Sequence, residues 1–298
     1  MRLRHFVPAI VILMTLCNSD LYAQNEKESF TDSFSSERFI SPDAELPYRQ
    51  AVFSQTSRPT KLIVYLHGGT SKGDDNISQM NEPGIDSISR YVTANSIDAV
   101  FIVPQCPSDE SWGGRLTDIL KSLIEEKIET FSIKDIYIFG GSMGGTGTWT
   151  MISKYPGLFT AAMPVAGNPS KCNEANVART PFFTVMGTED RIMAIQDVTD
   201  FTARLDRLSA KYVFEVEDGW SHEDTCIKSY TAERLKWVFS NIKAPESAVA
   251  AINATPYVVK TYCYTLSGYL SQHPSDGIYI IKEYLSDGSV NITKRYIK

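Results

Sequence analysis

The chain has 298 residues, of which 43% are hydrophobic and 21% are charged, and these values fit one ordinary globular core with further segments attached. Its formal net charge is -6, and its Lys and Arg residues are scattered rather than clustered. A nucleic-acid-binding surface needs clustered positive charge, so we expect no nucleic-acid partner.

The amino-terminal segment has the features of a secretion signal peptide. A basic start is followed by an apolar run from Phe6 to Cys17 and by the small residue Ala23. The run is shorter than the roughly 20 residues that a bilayer-spanning helix needs. We therefore expect residues 1–23 to be a signal peptide and the protein to be exported to the periplasm, the cell surface or the medium.

Residues 24–46 are polar, rich in Ser and Glu and without a sustained period, which predicts a linker or an amino-terminal arm. Over residues 47–243, short apolar runs alternate with amphipathic segments, and this alternation predicts a mostly parallel sheet with helices on both faces, a three-layer α/β sandwich. The predicted strands are KLIVYLH, DAVFIVP, DIYIFGG, TAAMPVAG, PFFTVMG and KYVFEVE. The predicted helices are IDSISRYVTAN, RLTDILKSLIEEKIETF, GTGTWTMISKY, AIQDVTDFTARLDRLSA and YTAERLKWVFSNI.

The rhythm of strands and helices breaks at Lys243. Residues 244–253 are small and include a proline, which is typical of a linker. Residues 254–298 contain Tyr- and Ile-rich runs separated by Ser-Gly and Asp-Gly turn signals. We predict a small carboxy-terminal β domain there.

Five glycines surround Ser142 in FGGSMGGTGTW, directly after the predicted strand DIYIF. The sequence G-x-S-x-G between a strand and a helix places a serine hydroxyl over the carboxyl edge of a sheet, and glycines two residues before and after the serine relieve crowding. We predict that Ser142 is a nucleophile.

A serine nucleophile needs a histidine base that a carboxylate orients. Of the 4 histidines, only His222 follows the last predicted core strand, in DGWSHED; the others are His5 in the signal peptide, His67 at a strand end and His273 in the tail. The acid is expected from GTEDRIM after the strand PFFTVMG, where Asp190 is favoured and Glu189 is the alternative. The order Ser142, Asp190, His222 is that of α/β-hydrolases.

Negative charge that develops on an attacked carbonyl oxygen needs preorganised amide donors. Met143 follows the nucleophile at the start of a helix, so its N–H is the first expected donor. The second is expected from the HGGT turn after the strand KLIVYLH, at Gly69 or Thr70. In the same turn we expect His67 to make structural hydrogen bonds.

Two tryptophans are predicted near the carboxyl edge of the sheet. Trp112 and Trp220 are candidates for stacking on a sugar or aryl group, with a packing role as the alternative for each, whereas Trp149 is assigned to the core. The segment from Gly167 to Thr180 is too short for a helical cap, so we expect an open site.

Export would place the remaining cysteines in an oxidising compartment. Three full pairings are possible, a Cys172–Cys226 bridge is one hypothesis, and buried free thiols are the alternative. The cysteines are Cys106, Cys172, Cys226 and Cys263. The spacing of His and Cys builds no metal ligand set, and we expect neither a metal nor an organic cofactor.

The chain from about Tyr65 to Trp237 resembles secreted bacterial α/β-hydrolases of the predicted-peptidase, polyhydroxybutyrate-depolymerase and feruloyl-esterase type. The resemblance is carried by HGG, IVPQCP followed by a Trp, IYIFGGSMGGTGTW, YPGLF to MPVAG, GTEDRI and SHED. The tail resembles the sorting-like domains of Bacteroidetes proteins, on YTLSG, GIYIIKEYLSDGS and KRYIK. That second resemblance implies contact with the cell surface or a secretion machinery; a small carbohydrate-binding module is the alternative.

These observations lead to an expected function. The chain is predicted to be an exported serine carboxylesterase that hydrolyses acetyl or feruloyl esters on a polysaccharide, or a small ester, through an acyl-enzyme. Two alternatives stay open, a prolyl-oligopeptidase-like serine peptidase and a non-catalytic surface protein that binds glycan on the same fold.

Overall fold

The computed structural model describes residues 29–41, 44–54, 59–243, 258–271, 274–285 and 290–297. The predicted signal peptide and the predicted linker 244–253 lie outside the described residues. The chain divides into two compact units between Lys243 and Ala244. In the described parts of the chain, no helix combines the length and the apolar character needed to cross a membrane.

The first unit is built on an eight-stranded sheet with the order β1-β2-β4-β3-β5-β6-β7-β8. The pairings β1 with β2 and β2 with β4 are antiparallel, and all others are parallel. The strands are β1 (Ser35–Ser41), β2 (Ala44–Phe53), β3 (Lys61–Leu66), β4 (Ala99–Pro104), β5 (Asp135–Gly141), β6 (Ala161–Val165), β7 (Phe182–Glu189) and β8 (Tyr212–Ser221).

Helices cover both faces of this sheet, as predicted. Along β3, Leu62 and Val64 point into one apolar cluster and Ile63 and Tyr65 into the other, because successive strand side chains alternate between faces. The helices are α1 (Pro83–Ala94), α2 (Gly114–Phe131), α3 (Met143–Lys154), α4 (Glu174–Val177), α5 (Ile195–Leu205), α6 (His222–Lys228) and α7 (Ala232–Phe239). Buried side chains of α2, α3 and α5 join the first cluster, and those of α1 and α7 join the second. The fold is therefore a mostly parallel α/β three-layer sandwich.

The interpretation of residues 24–46 as a linker is wrong for the part that the structure describes. Residues 35–41 form β1, which pairs with β2 in register from Ser35 with Gln50 to Ser41 with Ala44. As an edge strand, β1 buries little: Phe39 is its one buried side chain among residues that are otherwise exposed or partly exposed. A strand that is mostly solvated on both faces has the polar composition of a linker, which explains the error.

The second unit contains a three-stranded antiparallel sheet with the order β11-β10-β9. Its strands coincide with the three Tyr- and Ile-rich runs of the sequence, and Ile281 in the central strand is buried. The strands are β9 (Val258–Thr265), β10 (Gly277–Leu285) and β11 (Val290–Ile297).

The hypothesis of a Cys172–Cys226 bridge is contradicted, because all four cysteines of the described residues are free thiols. Cys172 packs against the apolar cluster on one face of the sheet, and Cys226 packs against the cluster on the opposite face. The sheet separates the two side chains. Burial also raises the pKa of the Cys226 thiol to about 12, so at neutral pH this side chain is a neutral packing group.

Candidate active site

Ser142 lies in a sharp turn between β5 and α3, and its backbone has φ 58° and ψ -119°. Few L-residues adopt this conformation, so the surrounding packing must hold it. A Cβ on Gly144 would lie 1.8 Å from the Leu66 carbonyl oxygen, and one on Gly140 would lie 2.4 Å from the Gly144 oxygen. The glycines therefore allow β3, β5 and α3 to approach closely enough to fix the serine at the sheet edge, as the sequence pattern predicts.

Three side chains from three loops form a hydrogen-bonded chain at this edge. The Ser142 hydroxyl lies 2.8 Å from His222 Nε2, and His222 Nδ1 lies 2.8 Å from the Asp190 carboxylate. With Nδ1–H donating to Asp190, Nε2 accepts the hydroxyl proton of Ser142. The Asp190 side chain is fully buried, whereas that of His222 is 14% exposed. The structure thus brings together the residues predicted as nucleophile, base and acid.

The carboxyl group of Asp190 is fixed by the backbone that follows it. One carboxylate oxygen accepts hydrogen bonds from the N–H groups of Ile192 and Met193, each at 2.9 Å. The other oxygen is then left to face His222. Glu189, the alternative acid, has an exposed side chain that pairs at 3.8 Å with Arg191 and does not reach the histidine.

The histidine is held by a helix that the sequence analysis did not identify. α6 begins at His222, and Ser221 and Asp224 close a capping box around its first turn. The chain before α6 lies against β7: a Cβ on Gly187 would be 2.2 Å from the Trp220 carbonyl oxygen. This close approach brings the loops after β7 and β8 together and sets His222 beside Asp190.

The HGGT turn after β3 lies directly against the nucleophile, since a Cβ on Gly68 would be 3.8 Å from Ser142 Cβ. The peptide between His67 and Gly68 is held from both sides. Its carbonyl accepts a hydrogen bond from Trp112 Nε1 at 2.9 Å, and its N–H donates to Glu82 Oε1 at 2.9 Å. A trans peptide directs these two groups oppositely, so the two side chains together clamp its plane.

The next peptide, between Gly68 and Gly69, is held through its carbonyl, which lies 2.7 Å from His67 Nδ1 and accepts the Ser71 N–H at 3.3 Å. The Gly69 N–H therefore points the opposite way. A Cβ on Gly69 would meet no atom within 4 Å and the residue is exposed, so the turn borders open space at this position. At the start of α3, Met143 is among the first residues, whose amides have no intrahelical acceptor. The turn that carries Gly69 and Thr70, the two candidates for the second donor, therefore lies beside Ser142, and Met143 follows the serine directly.

His67 is buried and makes structural hydrogen bonds. Its Nε2 accepts the Cys106 N–H at 2.9 Å while Nδ1 donates to Gly68. This pattern requires the neutral ring, and burial lowers the pKa of His67 to about 4. The imidazole therefore joins the strand-end loop of β4 to the HGGT turn.

The two predicted substrate-stacking tryptophans differ in their surroundings. Trp112 is 4% exposed and packs on Gly147 of α3, where a Cβ would lie 2.3 Å from the Trp112 Cβ and 2.8 Å from its Cγ. Neither face of the Trp112 ring is accessible to a sugar, so its role is packing, the second of the two predicted alternatives. Trp220 is partly exposed and packs beside Lys228 and Arg234, each 5.6 Å from its ring centre.

The segment from Gly167 to Thr180 contains only the four-residue helix α4 among its described residues. The described residues of this segment therefore contain no helix long enough to cap the site. Trp149 is fully buried between Phe182 and Phe201, in the core position expected for it.

Glu82 is the residue near the site that sequence reasoning missed. It precedes Pro83 at the start of α1, 14 positions from its partner Gly68, and no motif marks that spacing. In the described residues, no group of three His, Cys, Asp or Glu side chains is arranged to hold a metal ion.

The sequence and the structure were compared with known proteins. The Esterase family matches residues 84–256, more than half of the chain. The sequence matches no curated protein at a significant level. A thermostable esterase is similar at 25% identity and TM-score 0.67, covering 72% of this chain and 64% of its own.

Two further solved structures share the fold at lower identity. The feruloyl esterase module from Clostridium thermocellum, solved with sinapinate, is 13% identical with TM-score 0.57, covering 73% of this chain and 94% of the module. The acylaminoacyl peptidase of Pyrococcus horikoshii is 15% identical with TM-score 0.55, covering 76% of this chain and 44% of its own.

The chain belongs to the Esterase family. Its strand order and its esterase neighbours identify the fold as that of the α/β-hydrolases. Family and fold together indicate a serine carboxylic ester hydrolase.

Proposed function

We propose that the protein is an exported serine carboxylesterase that removes acetyl or feruloyl groups from a polysaccharide. The observation that carries the proposal is the hydrogen-bonded chain from Ser142 through His222 to Asp190 at the open carboxyl edge of the sheet. The similarity to a feruloyl esterase module supports this substrate class.

In the proposed reaction, His222 Nε2 takes the hydroxyl proton as Ser142 Oγ attacks the ester carbonyl carbon. Asp190 holds the imidazole and stabilises its protonated form. The N–H groups of Met143 and Gly69 stabilise the negative oxygen of the tetrahedral intermediate. His222 then protonates the leaving alcohol. In deacylation the same nitrogen takes a proton from the attacking water and returns it to Ser142 Oγ as the acid product leaves.

The site is open, and this favours a polymeric substrate over a small one. The connection from β6 to β7 carries only α4. Trp220 is the remaining aromatic candidate for contact with a sugar or feruloyl ring, since its side chain is partly exposed two residues before His222.

The test is hydrolysis of 4-nitrophenyl acetate, acetylated xylan, methyl ferulate and a Gly-Pro naphthylamide by protein that begins at Gln24. We expect ester turnover that Ser142→Ala abolishes and that Ser170→Ala, at an exposed serine, leaves unchanged. Cleavage of the amide with no ester turnover would favour the peptidase. A folded protein that cleaves neither would favour the glycan-binding alternative.

Export and the role of the second unit are part of this proposal. The apolar run from Phe6 to Cys17 and the sorting-like tail support a setting at the cell surface or beyond it. Cell fractionation tests this with the full chain and with a chain that ends at Lys243. We expect both outside the cytoplasm and only the full chain retained at the surface.

A further inference from the structure

We propose that Glu82 is a positioning residue for the reaction at Ser142, because its carboxyl group sets the orientation of the turn that carries the second oxyanion donor. This inference rests on the proposed function. Glu82 Oε1 accepts the Gly68 N–H at 2.9 Å and the Ser71 hydroxyl at 2.8 Å. One oxygen therefore joins Gly68, inside the HGGT turn, to Ser71, the residue that follows the turn.

Glu82 is itself held in place by its neighbours at the start of α1. Pro83 occupies the first helical position, and the Glu82 side chain makes no capping hydrogen bond to the helix. A Cβ on Gly84 would lie 2.6 Å from the rings of Tyr65 and Tyr230. The helix start thus packs directly on two buried tyrosines, and the carboxyl group is directed at the turn rather than along the helix.

The carboxyl group of Glu82 lies in a largely desolvated environment. Burial raises the pKa of the Glu82 carboxyl group, although the residue as a whole is partly exposed. Leaving a buried polar group without its hydrogen-bond partner costs free energy. The Gly68 N–H has this one side-chain acceptor, and the opposite end of its peptide is held by Trp112.

The consequence for catalysis follows from the geometry of the two successive peptides. Glu82 holds the plane between His67 and Gly68 directly. It also holds Ser71, whose N–H bonds the Gly68 carbonyl at 3.3 Å and so restrains the next peptide, whose N–H belongs to Gly69. An oxyanion donor acts only when it is aimed at the developing charge. Loss of the Glu82 acceptor should therefore weaken transition-state binding without changing the affinity for the ester.

The experiment compares Glu82→Leu with Glu82→Gln in the chain that begins at Gln24, using 4-nitrophenyl acetate. We expect Leu to lower kcat roughly 30-fold with KM within about twofold. Removing an oxyanion donor lowers kcat about 10²- to 10³-fold, and a misdirected donor should cost somewhat less. Glutamine keeps an acceptor oxygen, so kcat should stay within about threefold of the wild type. Glu174→Gln, in α4, alters a carboxyl group that pairs with Arg204 of α5; it is the matched control and should change neither constant.

A structural role alone would lower the thermal midpoint and the folded fraction while leaving kcat per folded molecule unchanged, and this result would overturn the proposal. A glutamine variant as slow as the leucine variant would also overturn it. If Glu82→Leu does not fold, Trp112→Phe removes the donor on the other side of the same peptide and should lower kcat about tenfold at constant KM; an unchanged kcat would contradict the clamp.

If the proposed function itself is wrong, the kinetic result differs from all of those above. In that case the wild type itself cleaves no ester. The rate at which a fluorophosphonate labels Ser142 then replaces kcat, and the expected order of the variants is the same; equal labelling rates would overturn the role of Glu82.

Discussion

On the nucleophile side of the site, Gly140 and Gly144 bring backbone against backbone, and a Cβ on Gly144 would lie 1.8 Å from a carbonyl oxygen. On the base side, one side-chain hydrogen bond joins His222, at the start of α6, to Asp190, whose carboxylate also accepts the Ile192 N–H. The close backbone packing stabilises the folded chain, whereas the hydrogen bond between the side chains positions the groups that react. Changes on the first side should therefore cost stability, and changes on the second side should cost turnover.

The largest expected effect is on the base side. Asp190→Asn should lower kcat about 10⁴-fold while the protein stays folded, because an amide at this position favours the wrong histidine tautomer. Glu189→Gln is the control next to it, with an exposed side chain, and should leave kcat unchanged. Steady-state kinetics on the preferred ester measure both; equal losses in the two variants would contradict the assignment of the acid.

On the nucleophile side, Gly144→Ala should lower the free energy of unfolding by about 4 kcal/mol or more, since the new methyl group would overlap the Leu66 carbonyl. Gly113→Ala is the control, because a Cβ there would meet its nearest atom, the Ser111 hydroxyl, at 3.9 Å. Urea unfolding gives both values. A Gly144→Ala protein with unchanged stability and lost turnover would contradict the prediction that changes on the nucleophile side mainly lower stability.

The turn beside the nucleophile should make stability depend on pH. In the unfolded chain His67 becomes protonated as the pH falls below its usual pKa of 6.5. In the folded protein its pKa is lowered to about 4, so the ring stays neutral down to about that pH. The contribution of the neutral ring is therefore complete above pH 6.5 and is lost as the pH falls to about 4, a difference of about 3 kcal/mol. The stability difference between wild type and His67→Gln should shrink by that amount from pH 7 to 4; parallel urea-unfolding curves would contradict it.

The smallest expected effect is at the start of α6. Ser221→Ala removes the capping oxygen that accepts the Asp224 N–H at 3.1 Å and should cost about 1 kcal/mol. Because His222 is the first residue of this helix, kcat should also fall a few-fold. Thr231→Ala, which uncaps α7, should cost similar stability at unchanged kcat. An equal loss of kcat in both variants would show that the effect is not local to His222.

The sequence was sufficient where the signal was local. Buried parallel strands are apolar throughout, so β3 to β7 and the nucleophile turn could be predicted from composition and spacing. The edge strand β1 could not, because solvated strands have polar sequences. The role of Trp112 was left open between stacking and packing, and Glu82 was missed, because both depend on contacts with His67 and Gly68, which are far away in the chain.

The most direct test of the account is covalent labelling of the wild type with a fluorophosphonate, followed by peptide mass spectrometry. We expect one adduct, located on Ser142, absent from Ser142→Ala and formed much more slowly in Asp190→Asn. A folded protein that hydrolyses esters but carries no adduct on Ser142, or carries it on another residue, would contradict the central claim.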